Sequence, residues 1–330
     1  EISTRDWSSD VCSSDLVHVT KDLDLHFRRT DDARSRQLER FLDELSELCS
    51  AVRIVVDDEG ESGPPAILLK PNLSFQAVPI GLELQPFLDL LWTAASQHVG
   101  ETAQDRLPPA HPIQWPAAIR IYISPHCPHC PGAVTQIGPL ALVNPEVTVT
   151  IIDGTLFSEL AEQDGVRSAP TILLDASFRW TGVVPMEDLL RALRERDPAQ
   201  LSAESLLRML KDGQADRLAA MMVECARVFP EFQRLIDHPE WSVRLGAVVV
   251  MEELAEANRE LARQSLEPVW ERFAQLNDSV KGDVIYLSGL VGSPAWIPRI
   301  EALLREDVSE EMREVVTEAL ESLRCSAAKP

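Results

Sequence analysis

The sequence predicts two tandem α/β units followed by an all-α block. Three observations carry this reading. Short β-branched runs alternate with helical spacing twice over, in the same order, between residues 17 and 198. A polar, Pro-rich stretch from Gly100 to Pro116 separates the two copies. Beyond residue 198 apolar residues recur at three and four spacing, and no convincing strand pattern returns.

The first unit, 17–112, runs strand, helix, strand, strand, helix. Val17 to Phe27 alternates as a strand should. Asp31 or Asp32 can cap a helix that carries Leu38, Phe41, Leu42, Leu45 and Leu48 on one face. Val52-Arg53-Ile54-Val55-Val56 is β-branched, and Pro64 to Leu69 reads as a turn into a strand. Leu84 to Ala95 restores helical spacing. The second unit, 113–198, repeats this order. Ala118 to Ile123 is a strand and a helix begins around Pro128. Val147 to Ile152 is a strand, Leu156 to Gln163 a short helix, Ala169 to Leu174 a strand entered from proline, and Pro185 to Arg196 a helix. Each copy is β-α-β-(α)-β-β-α, a small central sheet covered by helices.

The third block, 199–330, contains about seven expected helices. Three of them start alike, at Trp241-Ser242-Val243-Arg244, Asn277-Asp278-Ser279-Val280-Lys281 and Glu310-Glu311-Met312-Arg313. The offsets suit stacked helix pairs and resemble HEAT-type repeats. A plain helical bundle shares the same signal.

Charge and cysteine content narrow the functions. The 330 residues carry 53 acids against 31 bases, a formal charge of −22. A phosphate-backbone binder needs clustered Lys and Arg, so nucleic acid is not an expected partner. No apolar run approaches the roughly 18–20 residues that span a bilayer, so no membrane span is expected. Six cysteines in a chain this long are too few for a disulfide scaffold. The first sixteen residues, including Asp6 to Leu16, have no periodicity and read as a translated sequencing adapter. Cys12 falls in that segment. The expected compartment is cytoplasmic, with a signal peptide left open because the native start is expected to be missing.

The chemistry concentrates in Ile123-Ser124-Pro125-His126-Cys127-Pro128-His129-Cys130-Pro131, which follows a strand and opens a helix. A cysteine there meets unpaired N–H groups and the positive end of the helix dipole, both of which favour a thiolate. Pro128 suits a first helical turn. The two-residue spacer puts Cys130 one turn on, within reach of a disulfide. Cys127 is therefore the expected exposed nucleophile and Cys130 the buried resolving thiol. An imidazole at His129 would stabilise the thiolate and make the pair more oxidising than a thioredoxin-type dithiol. Such motifs range from about −270 to about −120 mV. Metal binding is the competing reading, with His126, Cys127, His129 and Cys130 as four donors, but no second Cys-x-x-Cys or His-x-x-His completes a zinc site. Cys49, Cys225 and Cys325 are isolated on expected helices, where a cysteine is ordinarily a small hydrophobe. A second element is Ser168-Ala169-Pro170-Thr171, just before a strand. A proline there can be cis, and its loop would abut the dithiol and present backbone to a substrate chain.

At these residues the second unit resembles the thioredoxin fold, with the dithiol at Cys127 and Cys130 and the cis-proline at Pro170. More narrowly, 17–198 resembles the tandem-thioredoxin N-terminal domain of the alkyl hydroperoxide reductase flavoprotein family. The resemblance rests on Cys130-Pro131, Asn144-Pro145-Glu146-Val147 and Ile152-Asp153-Gly154 in the second copy. In the first copy it rests on Ile80-Gly81-Leu82-Glu83 and Leu91-Trp92-Thr93. It implies that only the second copy is redox-active, and the first lacks cysteine at its corresponding loop, Arg28 to Asp32. It also implies that Glu83 lies near the dithiol and tunes it. The chain departs from that family where flavin and nucleotide domains should follow. No G-x-G-x-x-G occurs, so no cofactor beyond the Cys127–Cys130 disulfide is expected.

The expected function is thiol–disulfide exchange with a partner protein, supplied by a separate reductase or oxidant. Cys127 attacks, Cys130 resolves, His129 and Glu83 tune, and Pro170 with Thr171 holds the partner chain. The helical block would dock that partner. The alternative is a redox-sensing adaptor whose helical repeat is the functional surface.

Overall fold

In this computed structural model the chain is described at residues 23–57, 63–95, 113, 115–175, 177–292, 296–305 and 309–327. The adapter-like start, the linker from Gly100 to Pro112 and the first part of the expected strand lie outside those residues. Two compact units emerge, one running to Arg196 and one from Asp197.

The first unit is built on one eight-stranded sheet. Its strands are β1 (Leu23–Arg28), β2 (Val52–Asp57), β3 (Ala66–Lys70), β4 (Leu73–Gln76), β5 (Ala117–Ile123), β6 (Val147–Asp153), β7 (Thr171–Leu174) and β8 (Phe178–Thr181), in the order β2-β1-β3-β4-β6-β5-β7-β8. The helices are α1 (Ser35–Leu48), α2 (Leu84–Ala95), α3 (Cys130–Ile137), α4 (Pro139–Val143), α5 (Ser158–Gln163) and α6 (Met186–Glu195), and a 3-10 turn at Gly81–Glu83 precedes α2. Period-two alternation sorts the strand residues. Ile119, Ile121, Val149, Ile151, Ile172 and Leu174 enter one large core, while Tyr122, Ile152 and Leu173 join Phe157 and Ala161 in a smaller one.

β4 and β8 are the strands to which no particular residues had been assigned. β4 has only four residues, too few for a periodic signal. It decides the architecture, because it pairs antiparallel with β3 and parallel with β6, Leu73 opposite Val149 and Phe75 opposite Ile151. The two copies therefore share one sheet. Asn72 secures the seam: its buried amide donates to the carbonyls of Ala141 (2.7 Å) and Val147 (2.8 Å). At Gly138, between α3 and α4, an added Cβ would stand 2.7 Å from Leu90 Cδ1 and 2.8 Å from the Val134 carbonyl. Glycine here lets α2 of the first copy lie against the second copy's helices.

Two local expectations are corrected. Asp31 and Asp32 do not cap α1. Asp32 instead accepts from the Arg34 backbone N–H at 2.8 Å, closing a turn one step earlier, and the helix starts at Ser35. Leu38, Phe41, Leu42 and Leu45 are buried as the spacing requires, but Leu48 is 43% exposed and Cys49, at 5%, takes the core position.

The second unit holds eight α-helices and, among the described residues, no strand. They are α7 (Ala203–Lys211), α8 (Ala215–Cys225), α9 (Gln233–Ile236), α10 (Trp241–Ala257), α11 (Arg259–Glu271), α12 (Asp278–Val291), α13 (Ile297–Leu303) and α14 (Glu310–Ala327). Alternate helices pack in a row, α8 on α10, α10 on α12 and α12 on α14, with α11 against α10 and α12 from a second layer. The three look-alike starts bury Val243, Val280 and Met312 at equivalent places. Arg244 crosses from α10 to α12, bonding Asp283 Oδ2 (2.6 Å) and Ser279 Oγ (2.7 Å). Asn258 and Asn277 cap α11 and α12 by accepting from Leu261 N and Val280 N. No helix among the described residues is long and apolar enough to cross a membrane.

Candidate active site

β5 delivers the chain to the sheet's edge, and the loop beyond it folds by short-range bonds. Cys127 N donates to the Ser124 carbonyl (2.9 Å), and Cys130 N reaches the Cys127 carbonyl at 3.4 Å. The helix begins at Cys130, later than expected. Pro128 therefore sits in the exposed turn before α3, and Pro131 takes the first-turn proline position. The two cysteines differ as the spacing implied: Cys130 is fully buried and Cys127 half-buried, both as free thiols.

The peptide bond Ala169–Pro170 is cis, and its loop lies against the dithiol. The Cys127 thiol donates to the Ala169 carbonyl at 3.4 Å. Ala169 escaped the sequence reading. The available signal was its position just before Pro170, in a loop already expected to present backbone. Thr171, by contrast, is buried, and its hydroxyl donates to Ser168 O at 2.7 Å. That side chain shapes the loop and is turned away from any incoming chain.

Below the dithiol lie two carboxylates. Glu83, from the 3-10 turn of the first copy, is 3% exposed, and neither of its oxygens has a hydrogen-bond partner. Burial, and then the nearby Asp153, push its pKa up to about 7. Asp153 is also buried but well bonded, since its Oδ1 accepts from Thr155 N (2.8 Å) and Thr155 Oγ1 (2.7 Å). Burial drives the Cys130 thiol far above the ordinary cysteine range. A hydrogen bond to Cys127 and the nearby charges of Cys127 and Glu83 act in the same direction. Cys130 is thus held protonated, and Glu83 is electrostatically linked to it.

The imidazoles of His126 and His129 point outward. Both residues are exposed, and His129, although it is the α3 N-cap residue, makes no capping hydrogen bond. The expected contact of His129 with the Cys127 sulfur is not among the hydrogen bonds of this loop. Among the described residues no group of three or more His, Cys, Asp or Glu side chains is arranged to hold a metal ion.

In the first copy, the loop matching the dithiol loop is occupied by an ionic cluster. Arg34 bonds Asp32 and Glu159, and its guanidinium covers the Phe157 ring at 4.2 Å from the centroid. That loop is an anchor onto the second copy. Between the copies runs a groove of about 1000 Å³, floored by Leu82, Pro86 and Leu90 of the first and by Pro128, Pro131 and Leu140 of the second. It opens beside the dithiol turn.

A parallel-stranded core, a Cys-x-x-Cys turn at the head of a helix and a facing cis-proline define a thioredoxin-fold disulfide oxidoreductase. More particularly, the chain resembles the N-terminal domain of the alkyl hydroperoxide reductase flavoprotein. Residues 117–195 match the family model described as a thioredoxin domain. The F component of alkyl hydroperoxide reductase from Pseudomonas putida is 24% identical over 220 residues, 64% of this chain and 42% of the relative. That of Escherichia coli K12 is 24% identical over 222 residues, with the same two shares. The chain thus spans less than half the length of these relatives. Among solved structures, the N-terminal domain of the Enterococcus faecalis alkyl hydroperoxide reductase is 23% identical, with a TM-score of 0.46 over 55% of this chain and 95% of that one. A protein disulfide oxidoreductase from Aeropyrum pernix is 16% identical, with a TM-score of 0.49 over 58% and 92%.

Proposed function

We propose that the chain exchanges disulfides with a partner protein through Cys127 and Cys130. The observation that carries this is the asymmetry of the pair: a half-exposed sulfur bonded to the Ala169 carbonyl, backed by a buried, protonated one. The Cys127 thiolate attacks one sulfur of the partner's disulfide. An S–S bond forms, the partner's S–S bond breaks, and its second sulfur leaves as a thiolate. Cys130 then loses its proton and attacks Cys127 Sγ, releasing the partner's first sulfur. The partner gains two electrons and two protons, and the pair ends as a disulfide. A separate dithiol donor restores it. The same steps in reverse oxidise a partner dithiol.

Glu83 is the group suited to take the Cys130 proton, because its carboxylate is buried, unbonded and titrates near neutrality. Ala169 and Pro170 would pair their backbone with the partner segment. The helical unit, read as a HEAT-like repeat, would recognise the partner's surface.

Insulin reduction with dithiothreitol tests the chemistry. Wild-type protein should accelerate turbidity, Cys127→Ser should abolish the acceleration, and Cys130→Ser should accumulate a mixed disulfide sensitive to reductant. Wild-type turnover by Cys127→Ser would overturn the mechanism. Negligible wild-type turnover, with binding that depends on thiol state, would mark the chain as a redox-sensing adaptor instead.

A further inference from the structure

We infer that the solvent face of α10, continued onto α12, docks an amphipathic helix of a partner protein that is apolar along two turns and basic at one end. This deepens the docking role proposed for the helical unit, and it stands apart from the dithiol chemistry. Eight large hydrophobic side chains are exposed among the described residues, and four of them, Trp241 (63%), Leu245 (47%), Val249 (38%) and Tyr286 (46%), lie on these two adjoining helices. Scattered exposed hydrophobics need no explanation, whereas a contiguous strip does.

The first three recur at four-residue spacing, so they form one stripe about 12 Å long on α10. This is not a core face turned outward. Val243, Ala247, Val250, Met251 and Leu254 of the same helix already fill the core. The stripe then changes character. Glu252, Glu253 and Glu256 follow it along the last turns, and the Tyr286 hydroxyl donates to Glu252 Oε1 at 2.8 Å, joining the two helices there. The single cation of α10, Arg244, is turned inward and 3% exposed, committed to Asp283 and Ser279. No base on α10 therefore offsets those carboxylates. An apolar strip ending in uncompensated acids is complementary to an apolar helix face ending in Lys or Arg.

The test uses the full chain and a fluorescently labelled Leu/Lys amphipathic peptide of about 18 residues, long enough for five turns. A Leu/Glu peptide of the same pattern serves as the comparison. Anisotropy should show the Leu/Lys peptide binding at least about ten-fold more tightly than the Leu/Glu peptide. Trp241→Ser and Leu245→Ser should each weaken it about ten-fold, the scale of a lost hot-spot anchor. Glu253→Lys with Glu256→Lys should reverse the peptide preference. All these positions are exposed, and unchanged far-ultraviolet dichroism and melting will show that the variants fold. Binding should persist in Cys127→Ser protein, and insulin turnover should persist in Leu245→Ser protein, so failure of one reading leaves the other measurable. Equal peptide binding by wild type and both serine variants would overturn the inference. So would sedimentation of the wild type as a dimer that Leu245→Ser dissolves, which would assign the face to a second copy.

Discussion

Glu83 is the residue whose environment departs most from its chemistry in water. A carboxylate with neither oxygen bonded is poorly stabilised when charged, and the nearby Asp153 makes ionisation harder still. The sign of the linkage follows. The folded-state pKa, about 7, lies above the usual carboxylate value of 4.5. Between those two pH values the native state holds a proton that the unfolded state has lost. Stability therefore falls as pH rises from about 4.5 to about 7 and levels off above. The full difference is on the order of 3 kcal/mol. Glu83→Gln should remove this decline, leaving the variant more stable than wild type at pH 8 and no more stable at pH 4, as read by urea denaturation at the two pH values. If Glu83 also takes the Cys130 proton, the same substitution should lower the rate of disulfide resolution in stopped-flow traces and flatten its rise through pH 7. An unchanged rate profile would reduce Glu83 to a structural carboxylate. Glu83 was named as a site residue through family resemblance. Its burial and its pairing with Asp153 depend on a strand and a turn from different copies, which local sequence does not relate.

At the scale of elements, the seam between the copies is where substitutions are expected to act most strongly. Asn72→Leu would leave the carbonyls of Ala141 and Val147 without their buried donor, at a cost of about 1–3 kcal/mol. The melting temperature should drop by several degrees, measured by calorimetry on the intact chain. Gly138→Val would force a branched side chain into Leu90 and the Val134 carbonyl, with a comparable loss of about 1–3 kcal/mol. Because α3 carries Cys130 and abuts that glycine, insulin turnover should fall along with stability. A Gly138→Val protein that melts and turns over like wild type would refute the close-packing argument. Helix and strand identities in this unit were legible because long periodic runs such as Leu84 to Ala95 and Val147 to Ile152 satisfy one spacing only. The start of α3 was placed at Pro128 because proline favours a first helical turn. The turn closed by Cys127 N on Ser124 O delays it to Cys130.

At the scale of the whole molecule, the two units are expected to be separable in function. Removing residues 199–330 should leave insulin turnover within about two-fold of the full chain, since every residue of the dithiol site lies before Arg196. Turnover lost on truncation, with the remaining unit still folded by dichroism, would instead tie the helical unit to catalysis.

The sequence by itself determined the dithiol, the expected order of attack, the proline facing it, the repetition of the α/β unit and the helical nature of the remainder. Each of these is local: a spacing, a period or a turn residue decides it. Only the tertiary structure decided that β4 and β6 fuse the two copies into one sheet, that the Ala169 carbonyl receives the Cys127 thiol, that Glu83 is buried without a partner, and that Thr171 and His129 stand away from the reacting sulfur. Those features join residues tens of positions apart. They are fixed by which apolar faces must be buried together, a choice that the periodicity of any single segment leaves open.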